Sequence, residues 1–120
     1  MKISGFTLIE LLITLVIVGI LGAVSYPLYN EHLVKMRRVH ATVALMDLAG
    51  RLEEYYVLHN TYNNATIINN VEHYHIYLVA TGDTYTLHAD PLGKQAESDV
   101  LCGSLTLDQS GNRNAKECWH

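Results

Sequence analysis

The sequence predicts an α+β chain in which one long N-terminal helix packs on an antiparallel sheet of three or four strands. Residues 6–26 form an apolar run whose single charged residue is Glu10. Residues 41–55 repeat apolar side chains at helical spacing, and two runs with alternating apolar residues flank Thr81-Gly82-Asp83. Repeats of 3.6 and 2 residues distinguish helices from strands, so these observations predict the fold class.

The composition fits a small head domain joined to an apolar segment. The chain has 120 residues, is 49% hydrophobic and carries a formal net charge of −4. Much of the apolar content lies in the first 27 residues and cannot serve the core of the head. The acidic balance argues against general affinity for nucleic acid.

The apolar run is long enough to cross a membrane as a helix. The 21 residues from Phe6 to Tyr26 span roughly 31 Å at about 1.5 Å per residue. A secretory signal is the alternative, because small residues in "GAVSYP" resemble a cleavage site, but its apolar region is normally shorter. Lys2 precedes the run and residues 35–38 follow it with three cations, so the positive-inside rule alone predicts a cytoplasmic head.

The free-energy cost of placing the Glu10 carboxylate in such a helix must be compensated. A carboxylate at the membrane centre costs about 2.5 to 3.5 kcal/mol, and less near the edge. A cation about 4 Å away would return roughly 4 kcal/mol at an intermediate dielectric constant. No Lys or Arg lies between Phe6 and Tyr29, so the cation would come from another chain or from a new amino terminus. Alternatively, Glu10 lies at the headgroup level, where the helix dipole favours it.

The string "GFTLIELLITLVIVGILGAVSYPLY" resembles the N-terminus of a type IV pilin. The resemblance implies cleavage between Gly5 and Phe6 by a prepilin peptidase at the cytoplasmic side of the membrane, with methylation of the Phe6 amine. It also implies that Glu10 pairs with the Phe6 amine of a neighbouring subunit during assembly. The expected pilin fold divides into a leader (1–5), an apolar transmembrane and assembly half-helix (6–29) and a globular head (30–120).

The helix is expected to continue into the head, from Phe6 to about Leu58, over roughly 80 Å. Pro27 predicts a kink because proline removes one helical hydrogen bond, and Gly19 and Gly22 weaken the preceding turns. The resemblance implies that this stretch loses helical order in a fibre. An apolar stripe faces the sheet, and Asp47, Arg51 and Glu54 lie on the solvated face; the stripe comprises Ala41, Leu45, Leu48, Leu52 and Tyr55.

The sequence of the rest of the head predicts a loop that is followed by strands. Residues 59–73 are rich in asparagine and predict a loop with at most a short irregular strand. A hairpin follows around Thr81-Gly82-Asp83, and a third strand is predicted for residues 100–107, with a turn at 109–112 and a closing segment to Trp119. The side chains expected to face the helix are Tyr74, Ile76, Leu78, Tyr85, Leu87, Leu105 and Leu107.

Cys102 and Cys118 enclose 15 residues. A disulfide across such a loop stabilises a fold by about 3 kcal/mol, but two cysteines alone do not distinguish it from a pair of reduced thiols. The segment "CGSLTLDQSGNRNAKECW" resembles the C-terminal part of small type IVa pilins, in which a disulfide loop recurs. The resemblance therefore implies a disulfide and an oxidising compartment, which places the head in the periplasm despite the flanking charges.

No pattern predicts an enzyme, a cofactor or a metal site. His73, His75 and His88 could line one strand face, but no cysteine or acidic cluster completes a metal site. The pair Gly93-Lys94 lacks the earlier glycine of a phosphate-binding loop. Ser98, His88 and Asp90 lack the strand-turn-helix elbow of a hydrolase triad. We therefore expect a non-enzymatic protein.

The predicted function is that of a structural subunit of a type IV pilus. The resemblance implies a homo-oligomeric or mixed pilin filament used for adhesion, twitching motility or DNA uptake. It also implies an inner-membrane stage, with the head in the periplasm, that precedes extrusion by the pilus assembly machinery. One alternative is a type II secretion pseudopilin. The other is a DNA-binding minor pilin of a competence system, with contacts from Lys94, Arg113 and Lys116, although solvated loop charges are the favoured interpretation of these residues given the acidic total.

Overall fold

The computed structural model describes residues 5–68 and 71–119. It shows the predicted long helix and antiparallel sheet, so the α+β prediction is confirmed. The chain divides into two compact units, Met1–Leu33 and Val34–His120. The elements are helix α1 (Leu8–His59), strand β1 (Tyr74–Thr81), strand β2 (Thr84–Pro91), helix α2 (Gly93–Ser98), strand β3 (Leu105–Asp108) and a 3-10 helix (Lys116–Cys118).

The first unit contains the apolar part of α1. The helix begins at Leu8, two residues after the predicted start at Phe6, and its side chains up to Tyr29 are exposed in the isolated chain. It is long and apolar enough to cross a membrane, with a mean hydropathy of 2.5 over its most apolar window. Pro27 lies inside the helix, which continues through it. The predicted kink stays a prediction.

In the second unit, α1 packs one face into the core of the head. Four members of the predicted stripe are buried: Ala41, Leu45, Leu48 and Leu52. The prediction for Tyr55 was wrong, because its hydroxyl donates a hydrogen bond to the carbonyl oxygen of Asn63 and its ring stacks on His59. Tyr62 enters the core instead and donates a hydrogen bond to Glu53 at 2.9 Å.

The sheet has the order β1-β2-β3, with both pairs antiparallel. Thr81 pairs with Thr84 across the two-residue turn of Gly82 and Asp83, and Gly82 has a φ of 45°, which glycine adopts without strain. The inward side chains alternate along each strand as predicted. They comprise Tyr74, Ile76, Leu78, Tyr85, Leu87, Ala89, Leu105 and Leu107.

The third strand begins later than predicted. β3 covers Leu105–Asp108, whereas Val100 and Leu101 lie in a turn closed by a hydrogen bond from the Gly103 N–H to the Asp99 carbonyl oxygen. Leu101 is 99% exposed, so its apolar character did not indicate a core strand. Within residues 5–68 and 71–119 there is no fourth strand, only an isolated bridge between Leu107 and Arg113.

A buried polar cluster fastens α1 to the segment that precedes β3. Arg38 donates two hydrogen bonds to Asp99, at 2.9 and 2.8 Å, and this carboxylate raises the pKa of Arg38. Gln95 on α2 donates to the Val34 carbonyl oxygen at 3.0 Å and to the Tyr74 hydroxyl at 2.9 Å. Sequence reasoning missed both α2 and this cluster.

Candidate functional site

The predicted processing site lies directly before α1. Gly5 and Phe6 are exposed and precede the first helical residue, while residues 1–4 of the predicted leader lie outside the described residues. Cleavage between Gly5 and Phe6 would therefore leave a free amine two residues before the helix. This position is accessible in the structure, as a peptidase requires.

Glu10 caps the start of α1. Its Oε2 accepts a hydrogen bond from the Thr7 N–H at 3.1 Å, and the Glu10 N–H donates to the Thr7 hydroxyl at 3.2 Å. These reciprocal bonds form a capping box, which satisfies two backbone groups that the helix cannot pair. The helix dipole was predicted to favour Glu10, but the capping box was not predicted, although its Thr-x-x-Glu spacing is readable in the sequence. Glu10 remains exposed, so its carboxylate is accessible to a cation from a second chain.

The C-terminal loop is closed by a disulfide between Cys102 and Cys118, with 5.9 Å between their Cα atoms. The resemblance-based prediction of this bond is confirmed. Asn114 fixes the interior of the loop, because its Nδ2 donates to the Ser104 carbonyl oxygen at 2.6 Å and its Oδ1 accepts from the Thr106 N–H at 2.7 Å. The loop is thus attached to the sheet as well as crosslinked.

Asp108 organises the turn after β3. Its Oδ1 accepts hydrogen bonds from the backbone N–H groups of Ser110 and Asn112, both at 2.9 Å. The bond from Asn112 is the main reason that the pKa of Asp108 is lowered, since an N–H donor favours the ionised carboxylate. The turn leads directly to Arg113, and so fixes where that side chain leaves the backbone.

Arg113 and Lys116 share one surface cleft. The Arg113 guanidinium lies over the Trp119 ring, 5.0 Å from its centroid, and the indole N–H donates to the Asn114 carbonyl oxygen at 2.9 Å. Glu117 is the acidic residue that lines the same cleft. Lys94 lies on α2 and does not line this cleft, so the structure brings together two of the three predicted basic contacts.

The three histidines considered as metal ligands lie at or near the outer face of the sheet. His75 and His88 flank Tyr77, and their rings stack on it. His73 precedes β1 and lies 4.0 Å from Glu72. In the described part of the chain, no group of three His, Cys, Asp or Glu residues is arranged to hold a metal ion.

Two family models match the chain. Residues 1–26 match the prokaryotic N-terminal methylation motif. Residues 27–106, more than half of the chain, match the family described as type IV minor pilin ComP, DNA uptake sequence receptor. Together the two matches cover the apolar segment and most of the head.

Individual relatives agree with these matches. The chain is similar to the type IV major pilin protein PilE1 of Neisseria gonorrhoeae, with 39% identity over 47% of this chain and 34% of PilE1. It spans about a third or less of the length of the curated relatives it matches.

Two solved structures have the same fold. A type IV pilin from Shewanella oneidensis is 30% identical, with a TM-score of 0.63, and the match covers 72% of this chain and 98% of that one. The Neisseria meningitidis minor pilin PilV is 22% identical, with a TM-score of 0.60 over 68% of this chain and 85% of PilV, and supports the fold alone. From its sequence and its fold, the chain belongs to the type IV pilins, in the family described as type IV minor pilin ComP, DNA uptake sequence receptor.

Proposed function

We propose that this pilin is a minor subunit of a type IV pilus and that its head binds DNA through the C-terminal loop. The observation that carries the proposal is the cleft in which Arg113 and Lys116 lie together beside Trp119. The family description supports it, because it names a DNA receptor. The acidic total favours solvated loop charges over DNA contact, whereas the family description supports DNA contact.

The chemistry of the cleft suits a phosphate backbone. A guanidinium binds phosphate oxygens with two parallel N–H donors, and an ammonium adds a point charge. The stacking of Arg113 on Trp119 holds the guanidinium in place, so little side-chain entropy is lost on binding. The disulfide and the Asp108 turn keep both ends of the loop fixed. Contact with DNA is therefore expected to be local and sensitive to salt.

The test measures binding of a fluorescent DNA duplex to the full-length protein in detergent. The fluorescence anisotropy of the duplex reports binding at 50 and 200 mM salt. Arg113→Ala combined with Lys116→Ala should weaken binding about tenfold. The negative slope of log K against log salt should become shallower by about 1.8, since each neutralised phosphate contributes about 0.9.

Two further variants complete this test. Arg51→Ala is the matched control, because Arg51 is an exposed cation on α1 that already pairs with Asp47. Its affinity should equal that of the unaltered protein. Lys94→Ala tests the third predicted contact, and its position outside the cleft predicts a smaller loss. If the unaltered protein shows no salt-sensitive binding, the DNA proposal is wrong.

We further propose that assembly depends on Glu10 and on the amine of Phe6. Cleavage after Gly5 and methylation of Phe6 would place a cation at the end of the mature chain. Pairing of this amine with Glu10 of a neighbouring copy would neutralise both charges as the apolar helices pack together. The matched methylation motif and the exposed Glu10 carboxylate support this mechanism. Such head-to-tail contacts do not close, so they generate a filament.

A further inference from the structure

Exposed apolar side chains lie on both sides of helix α2 in the chain. Leu92, directly before the helix, is 47% exposed, and Val100 and Leu101, shortly after it, are 75% and 99% exposed. We call these three residues the α2 flanks. Contact between apolar side chains and water is unfavourable, and exposed apolar groups of this kind mark surfaces that a partner covers.

Hydrogen bonds hold the α2 flanks in their exposed position. The Leu92 N–H donates to the His73 carbonyl oxygen at 2.9 Å, directly before β1. The Gly103 N–H donates to the Asp99 carbonyl oxygen at 2.9 Å, which closes the turn that contains the other two flank residues. Cys102, the residue that follows them, belongs to the disulfide. The exposure of the α2 flanks is therefore a property of the folded head.

Helix α2 is attached to the residue at which the chain enters the head. Gln95 on α2 donates to the Val34 carbonyl oxygen at 3.0 Å, and Val34 is the first residue of the second compact unit. Val34 follows Tyr29, the last residue of the apolar half-helix, by five positions. Five residues rise about 8 Å on a helix and extend at most about 18 Å in any conformation. The headgroup zone on each side of a membrane is roughly 5 to 8 Å thick, so it lies within reach of the α2 flanks.

The charged side chains near α2 suit contact with lipid headgroups. The charge of Arg38 is already neutralised by Asp99. The other charged side chains near Val34 and on α2 are of both signs, and the exposed ones include Lys35, Lys94, Glu31 and Glu97. Lysine side chains lie along apolar surfaces and keep their ammonium groups among polar headgroups. Because both signs are present, the apolar side chains are expected to determine this contact.

We propose that the α2 flanks insert into the headgroup zone of the membrane before assembly and so hold the head against the lipid surface. Lipid is the expected occupant because the apolar half-helix keeps α2 near the membrane in every unassembled molecule, whether or not a second copy is present. Extraction into a filament then has to break this contact as well as remove the apolar helix from lipid. The proposal does not depend on DNA binding.

The test uses the full-length protein in vesicles of phosphatidylethanolamine and phosphatidylglycerol, some of which carry a nitroxide quencher on the headgroup. Leu101→Trp places a reporter at the most exposed flank residue, and its added emission should fall at least about twofold in the quencher vesicles, because the headgroup zone surrounds it. Val57→Trp is the matched control. Val57 is an 82% exposed apolar residue of α1 that lies 23 residues, or about 35 Å, beyond Val34, so its emission should not change. The unaltered protein supplies the baseline from its single tryptophan, Trp119.

A second set of variants tests whether the α2 flanks act together. Leu92→Ser combined with Val100→Ser, added to Leu101→Trp, should restore most of the emission. Val57→Ser combined with Leu58→Ser, added to the same reporter, should leave the quenching unchanged. An unchanged melting temperature checks that each variant is folded.

The proposal is wrong if the Leu101→Trp variant is quenched no more than the Val57→Trp variant, or if the serine pair at the α2 flanks leaves the quenching intact. Absence of quenching together with a loss of filaments in Val100→Ser combined with Leu101→Ser would also overturn it. That result would assign the α2 flanks to contact with a neighbouring copy of the chain.

Discussion

At the scale of single residues, Arg38 shows how an ion pair can hold a small head together. Its guanidinium and the Asp99 carboxylate are 16% and 4% exposed, whereas Arg51 and Asp47 on the same helix are 66% and 62% exposed. The two pairs have similar chemistry but different contact with water. Removing one partner of a buried pair leaves an uncompensated charge, while exposed pairs contribute little.

Arg38→Ala is therefore expected to lower the free energy of unfolding by about 3 kcal/mol. Arg51→Ala should lower it by less than about 0.5 kcal/mol, because solvent already screens the pair with Asp47. Thermal unfolding of the full-length protein in detergent, followed by the fluorescence of Trp119, measures both. Equal losses in the two variants would contradict the role given to burial.

A second residue-scale prediction concerns Asp108. Its lowered pKa means that the ionised carboxylate stabilises the folded head above the unfolded pKa, and that this contribution is lost as the pH falls through the folded pKa. Asp108→Asn keeps an acceptor but removes the charge. Its melting temperature should lie below that of the unaltered protein at pH 7, and the gap should close below about pH 4. Glu54→Gln, at an exposed position on α1, should show no such gap.

At the scale of elements, the disulfide and the turn of Asp108 fix the C-terminal loop. The Cys102–Cys118 bond closes a loop in a chain whose head is small. Cys102→Ser combined with Cys118→Ser should destabilise the head by about 3 kcal/mol in chemical unfolding. Reduction of the unaltered protein should give the same midpoint. If the proposed cleft is correct, the variant should also bind DNA more weakly at temperatures where the head stays folded.

Long periodic elements were predictable from the sequence, whereas short ones were not. The α1 stripe and the β1-β2 hairpin extend over many residues, so their periodicity is unambiguous. Helix α2 has six residues, and its N-cap residue Leu92 makes no side-chain capping hydrogen bond, so the sequence carries no readable signal for this helix. Val100 and Leu101 resembled a strand because only tertiary structure reveals that they are exposed. Arg113 and Lys116 were predictable as cations, but the contribution of Trp119 depends on how the loop folds.

At the scale of the whole molecule, the chain occupies two environments in succession. It is anchored in the membrane by its apolar helix before assembly, and it is then displayed on the pilus surface, as the methylation motif and its pilin relatives indicate. The apolar residues of the first unit are exposed in the isolated chain, so lipid or other helices must cover them. Glu10 lies within that apolar surface and is expected to control the exchange from lipid to neighbouring subunits.

The Glu10 mechanism predicts a difference between two substitutions. Glu10→Gln keeps the capping box, since glutamine also suits that position, but it removes the charge. It should insert into the membrane normally and form few filaments, as should Glu10→Ala. Thr7→Ala removes the cap alone and should assemble almost normally. Quantifying surface filaments by electron microscopy and membrane-bound protein by immunoblot checks this; abundant filaments from Glu10→Gln would contradict the pairing.

The chemistry of the mature N-terminus provides an independent check. Mass spectrometry of purified filaments should find a chain that begins at a methylated Phe6 and contains an intact Cys102–Cys118 bond. A filament subunit that retains residues 1–5 would exclude an amine at Phe6. It would also exclude the proposed pairing.

The hydrogen bond from Gln95 to the Val34 carbonyl oxygen sets a practical limit for work on this pilin. A soluble head needs the apolar helix removed, and the choice of the first residue decides whether the remainder stays folded. Truncation beyond Val34 deletes that acceptor, and truncation beyond Arg38 also leaves the Asp99 carboxylate without its ion-pair partner. Recombinant heads that start before Val34 should therefore stay folded and soluble, whereas those that start at Val39 or later should aggregate.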